Sequence, residues 1–268
     1  MSPSVDTSTT AAKAELLRSL HVPGDPLIVT NVWDAVTART VAAAPGVKAL
    51  ATASHAVSFA HGVPDGEGLS LDQALAAASL ITQAVEIPVS VDFEKGYAPD
   101  VAALEHSIAR LIAAGAAGLN IEDSVGPAKA PLFPVDVATE RIATVRRTAT
   151  TVGVPLVINA RVDVLAGGGE WDDMVTRANS YLGAGADVVF VLGLGTEDKV
   201  KRALDEIDGK VSVISNPTSV PLKRLAELGV SRVSFGPGTL GLTLAHLQRA
   251  AAQLTALGEY PDELGFAY

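Results

Sequence analysis

The chain has 268 residues, a formal net charge of -10 and no cysteine. The acidic balance, without a long basic run, excludes non-specific nucleic-acid binding, which needs clustered Lys and Arg. The missing thiols exclude disulfides, thiolate metal sites and a cysteine nucleophile.

Residues 1–14 are rich in Ser and Thr, lack an apolar signal core and read as a flexible tail. Residues 15–268 then read as one domain. Strand candidates follow at 27–31, 47–52, 88–92, 117–122, 155–161, 186–191, 211–215 and 231–236. They are short, apolar and rich in β-branched residues. Helix candidates lie near 34–44, 70–85, 100–114, 136–151, 171–184, 197–208, 220–228 and 239–257. Ser70 with Gln73 forms a capping-box pattern, and Pro99-Asp100 suits a first helical turn. Glycine closes several helices, in Ala114-Gly115, Ala184-Gly185 and Leu228-Gly229, just before the next strand. No run approaches the ~20 apolar residues of a membrane span, so a cytoplasmic protein is expected.

Near-continuous apolar strands are buried on both faces, as in a parallel sheet under helices. Alternation repeated through the chain predicts an α/β fold, a (β/α)8 TIM-type barrel with a C-terminal helical extension. The rival is an open doubly wound sheet. A Gly-x-Gly-x-x-Gly fingerprint is missing after the first strand, where Thr30-Asn31-Val32-Trp33 stands instead, so a dinucleotide fold is disfavoured. The final residues, 258–268, leave the pattern and suit packing on a partner subunit.

In a barrel, chemistry collects where strands end. The strands here end in Asn31 with Trp33, in Ser54 with His55, in Asp92 with Glu94, in Asn120 with Glu122, in Asn159 with Arg161 and Asp163, and in Ser215 with Asn216. Residues two apart on a strand share a face. Three carboxylates converging there would repel unless a cation lay between them, and Mg2+ suits oxygen ligands. Arg161 has two readings: a fork for a substrate carboxylate or phosphate, or a buried ion pair with Glu122. Asp123 and Asp163 read as turn or cap residues. Gly236-Pro237-Gly238 suits either a phosphate cradle or a tight turn.

The stretches 31-NVWDAVTAR-39, 62-GVPD-65, 90-SVDFEKGY-97, 115-GAAGLNIEDS-124 and 158-INARVDV-164 resemble the isocitrate lyase/phosphoenolpyruvate mutase superfamily. That resemblance implies an α/β barrel, Mg2+ (or Mn2+), a small 2-oxo-carboxylate or phosphonate substrate and a homodimer or homotetramer. It implies Asp92 as a direct metal ligand, Glu94 and Glu122 holding the metal through waters, and Asp65 behind them. It implies that Arg161 and the loop around Ser54 bind substrate; the strand ends add His55, Trp33, Asn159 and Asn216 as substrate-binding candidates, and Arg161, Glu122 and Lys129 are the catalytic candidates. The implied reaction is lyase-type C–C cleavage or decarboxylation through an enolate on the metal. The alternatives are phosphonomutase or phosphonopyruvate hydrolase chemistry, and a non-catalytic barrel that keeps the ligand site.

The sequence also departs from the superfamily. The Lys-x-Cys-Gly-His segment of its lyases and the Lys-Thr-Asn-Ser segment of its mutase are both replaced by 122-EDSVGPAKAPLFPVD-136, whose only cation is Lys129. At strand two, Ala53-Ser54-His55 stands where Ser-Gly is usual. At strand six, Val191-Leu192-Gly193 stands where the lyases have Glu and the mutase His.

Overall fold

The computed structural model describes residues 7–126 and 129–261. Helix α1 (Thr7–Ser19) comes first and replaces the expected tail from Thr7 onward; residues 1–6 lie outside the described residues. Thr10, Ala14 and Leu17 are buried along one side of it. Leu17 reaches Gly118, where an added Cβ would lie 2.8 Å from its Cδ2. The helix therefore closes the N-terminal end of the barrel, a role that its Ser- and Thr-rich composition hides.

The strands are β1 (Leu27–Val29), β2 (Asn31–Val32), β3 (Leu50–Thr52), β4 (Val89–Asp92), β5 (Gly118–Glu122), β6 (Val157–Val162), β7 (Val188–Val191), β8 (Val211–Ile214) and β9 (Arg232–Ser234). All neighbours pair in parallel. β1 pairs with β9 and β2 with β3, and only Thr30 separates β1 from β2. A single stave thus changes partner at Thr30, and that switch closes the ring as a (β/α)8 barrel.

Helices α2 (Ala35–Ala42), α3 (Ser54–Ala60), α4 (Leu71–Gln83), α5 (Val101–Ala113), α6 (Val135–Val152), α7 (Trp171–Gly183), α8 (Glu197–Glu206) and α9 (Leu222–Leu228) follow the staves. The short α3 is not legible in the sequence, because it begins directly where β3 ends. The capping box at Ser70 and Gln73 is formed. Gly153 and Gly229 end α6 and α9 in the left-handed conformation, which costs a glycine nothing in Cβ clashes. The longer outer helices bury an apolar stripe; in α5 it comprises Leu104, Ile108, Leu111 and Ile112. Burying one such side chain stabilises the fold by about 1.5–3 kcal/mol.

The last helix, α10 (Gly238–Thr255), behaves differently. Leu240 is its buried residue, while Leu242 and Leu247 are 66% and 64% exposed. The rest of the C-terminal stretch singled out above, 262–268, lies outside the described residues. Among the described residues, no helix is long and apolar enough to cross a membrane.

Candidate active site

Strand alternation points Ser90 and Asp92 of β4 into the barrel, in register with Gly118 and Asn120 of β5. Asp92 closes its strand and is fastened from both sides. Its backbone N–H donates to Thr52 Oγ1 at 2.8 Å. Its Oδ2 accepts the Ser54 N–H at 2.9 Å, at the start of α3.

Above Asp92 lies a cavity of about 210 Å³ at the C-terminal mouth of the barrel. Asp65, Ser54, His55, Asn120, Lys129 and Arg161 line it with Asp92. Phe190, Leu192 and Ile214 supply an apolar wall, and Asn31, Ser234, Gly236 and Pro237 complete the rim. Acids and bases are thus brought together in a space suited to a small ligand.

Of the four acids expected around a cation, Asp65 and Asp92 line the cavity, while Glu94 and Glu122 lie off its lining but near enough to feel the Asp92 charge. Among the described residues, no three acidic or imidazole groups are arranged to hold a metal ion. β4 ends at Asp92, and Glu94 adopts a φ of 48°, so strand parity no longer applies to it. The Glu94 carboxylate accepts the Tyr97 hydroxyl at 2.7 Å and the Glu67 N–H. Burial pushes that carboxyl above its usual range, although the Tyr97 bond opposes the rise. Glu122 is also committed elsewhere. Asp65 and Asp92 remain on the cavity, and Asp65 Oδ1 is buried without a hydrogen-bond partner.

Arg161 resolves its two readings in favour of ion pairs. It donates through Nε and Nη2 to Asp163 at 2.7 and 3.0 Å, and Nη1 lies 2.6 Å from Glu122 Oε2. Burial works against its charge, but Glu122 and Asp163 hold the guanidinium above its usual range. Three of its five N–H groups are thus taken up by these carboxylates. Burial pushes the Glu122 carboxyl up to about 7, against the pull of Arg161 and Lys129. Lys129 Nζ stands 3.6 Å from Glu122 Oε2, at the cavity edge. Its loop is tied back by the bridge between Ser124 and Leu132.

Asp123 and Asp163 are not caps. Both are buried, and Asp123 accepts the Asp163 N–H at 2.9 Å and the Tyr181 hydroxyl at 2.8 Å. Trp33, expected at the substrate, packs instead with Ala53, Ala56, Val57, Leu69 and Leu240. Asn216 is exposed and accepts the Thr218 N–H at 2.9 Å within its own turn. Asn159 is buried beneath the cavity, donating to Asn120 Oδ1 at 2.8 Å. Lys95 pairs with Glu67 at 2.7 Å, off the cavity. Phe190, Ile214 and Ser234 escape a reading focused on charged strand ends. Their inward parity is the signal that locates them.

The sequence profile described as phosphoenolpyruvate phosphomutase matches residues 17–255. The uncharacterized protein Rv1998c of Mycobacterium tuberculosis is 33% identical over 238 residues, covering 87% of each chain. A solved structure from Burkholderia cenocepacia J2315 is 37% identical with a TM-score of 0.85, covering 90% of this chain and 99% of that one. The 2-methylisocitrate lyase of Aeropyrum pernix is 27% identical over 94% of this chain and 83% of its own. A phosphoenolpyruvate phosphomutase of Streptomyces viridochromogenes (26% identical) and an oxaloacetate decarboxylase of Pseudomonas putida (24%) cover 91% and 82% of this chain, and 80% and 76% of their own.

Proposed function

Because this chain belongs to the phosphoenolpyruvate phosphomutase family, within the isocitrate lyase/phosphoenolpyruvate mutase superfamily, we propose that it is an enzyme that cleaves a C–C bond of a small 2-oxo-carboxylate, by lyase chemistry or decarboxylation. The observation that carries this reading is the pairing of an acid face, Asp65 and Asp92, with a basic face, Lys129 and Arg161, in one cavity of about 210 Å³.

A divalent cation, Mg2+ or Mn2+, suits the acid face. Mg2+ keeps several waters and needs only one or two protein carboxylates beside its substrate oxygens. Asp92 and the unpartnered Oδ1 of Asp65 are donors of that kind. Bound there, the cation would polarise the 2-oxo group and offset the charge that develops on its oxygen.

The chain's own residues would do the rest. Ser54 holds Asp92 in place through its N–H. Arg161, charged but immobile, sets a positive field at the cavity wall. Lys129 would give its proton to the carbon that keeps the electron pair of the broken bond. The Glu122 carboxyl, 3.6 Å away, would hold the Lys129 ammonium toward the cavity. His55 at the rim, 3.8 Å from Asp65, would contact the outer end of the substrate.

Relatives named phosphoenolpyruvate phosphomutase, and the place of Gly236 and Pro237 on the cavity rim, favour P–C chemistry as a second reading. The exposed leucines of α10 favour a homodimer or homotetramer that covers them. Incubation with oxaloacetate, 2-methylisocitrate and phosphoenolpyruvate, followed by proton and phosphorus NMR, tests the two chemistries together. Conversion of a carbon substrate, stopped by EDTA, is expected. Conversion of phosphoenolpyruvate alone would replace the first reading by the second. No conversion at all would contradict both.

A further inference from the structure

Barrels of this type ordinarily stack branched aliphatic side chains along their axis. Beneath the present cavity the axis is polar. Arg232 of β9 is fully buried, together with Ser90 of β4, Asn159 of β6 and Ser212 of β8. Asn120 of β5 lies between this layer and the cavity that it lines. Among the described residues, Arg232 has no carboxylate at ion-pair distance. Its Nη1 donates to Ser90 Oγ at 3.2 Å and its Nη2 to Asn120 Oδ1 at 3.5 Å. Burial lowers the guanidinium to about 10, which leaves it charged at neutral pH.

Arginine donates hydrogen bonds and cannot accept them. An asparagine amide can ordinarily be turned end for end, but here only its oxygen fits against the guanidinium. Asn159 Nδ2 donates to the same oxygen at 2.8 Å. With Oδ1 held downward by two donors, the Asn120 NH2 group is left for the cavity side.

We infer that Asn120 is a substrate-recognition residue, locked donor-outward by Arg232 and Asn159, and that it binds a carboxylate or carbonyl oxygen of a small 2-oxo acid from the cavity floor. Arg232 is a positioning residue: it acts through Asn120 and does not touch the ligand. This inference rests on the cavity being an oxo-acid site. It assigns a purpose to a buried cation whose desolvation would otherwise be a net cost to the fold.

Asn120→Asp is a nearly isosteric test. It keeps an oxygen toward Arg232 and adds an ion pair, but it turns an acceptor toward the cavity. Calorimetric titration with oxalate at saturating Mg2+ should show binding by the parent protein. Asn120→Asp should bind at least about 30-fold more weakly, while its Tm is equal or higher. Arg232→Met should weaken binding about 10-fold in the parent but less than about 2-fold in an Asn120→Ala background, because the effect passes through Asn120. If Arg232→Met does not fold, Asn159→Leu removes the second donor and should show the same coupling. Oxalate binding by Asn120→Asp within about 3-fold of the parent, or additive effects in the double variants, would overturn the inference alone. A parent protein that binds no oxalate would overturn both the inference and the oxo-acid reading.

Discussion

Arg161 is clamped by Asp163, two residues further along its own chain, through Nε at 2.7 Å and Nη2 at 3.0 Å. Asp163 is fully buried and takes its position from Asp123, which accepts its backbone N–H. The clamp leaves Nη1 to Glu122 and fixes where the positive charge of the cavity wall sits. Breaking a buried pair strands a charge and costs about 3–5 kcal/mol. Asp163→Ala should therefore lower unfolding stability by about that much, read as a lower urea midpoint with an unchanged slope. A loss below about 1 kcal/mol would show that the clamp is dispensable.

The cation is expected on Asp92 and Asp65 rather than on Glu94. Asp92→Asn and Asp65→Asn should each weaken Mn2+ binding about 10-fold or more, measured by electron paramagnetic resonance of free Mn2+. Glu94→Gln should change it by less than about 3-fold, since that carboxylate is taken up by Tyr97 and the Glu67 N–H. The opposite ranking would restore the ligand set implied by the superfamily motif.

Lys129 and Glu122 should control turnover and its acid limb. Loss of a proton-transfer group costs about 10²–10⁴ in rate, so Lys129→Gln should lower kcat by that order with a smaller change in KM. With the Glu122 carboxyl at about 7, the carboxylate that orients the Lys129 side chain is lost as pH falls below that value. The rate should decline from about pH 7 downward, and Glu122→Gln should remove this limb from the profile. A limb that persists in Glu122→Gln belongs to another group.

The N-terminal closure carries its own pH signature. Burial, with Arg232 nearby, lowers His21 to about 3, and its Nδ1 lies 2.7 Å from the Leu17 carbonyl. Between pH 6.5 and about 3 the unfolded chain binds a proton that the native chain refuses, so stability falls as pH falls through this window. The slope attributable to one such group is at most about 1.4 kcal/mol per pH unit. His21→Gln should flatten the acid side of the stability profile. Leu17→Ala, at a fully buried position of α1, should cost about 2–5 kcal/mol. No loss in Leu17→Ala would mean that α1 does not seal the barrel.

The alternation of elements was legible because each repeat carries its own period and glycine stop. Asp92 was legible because a charge that closes an apolar strand has few reasons to be there. Glu94 was misplaced because two-residue parity was extended past the last strand residue into a left-handed turn. Trp33 and Asn216 were misplaced because proximity to a strand end says nothing of which way the following turn folds. Asp123 reads as a cap because its partner, Tyr181, meets it only in the fold, whereas the partner of Asp163, Arg161, stands two residues before it in the sequence. Arg232 was in plain view within 231-SRVSFG-236, and an arginine at an inward position of an apolar strand is the signal that points to the polar axis.

The central claim is that Asp92 and its neighbours bind a small 2-oxo acid together with a divalent cation. Thermal unfolding with oxaloacetate, oxalate or pyruvate, each with and without Mg2+, measures this through ligand linkage. The account predicts a rise in Tm that needs both components and disappears in Asp92→Asn. A rise of equal size without Mg2+, or one retained in Asp92→Asn, would contradict it.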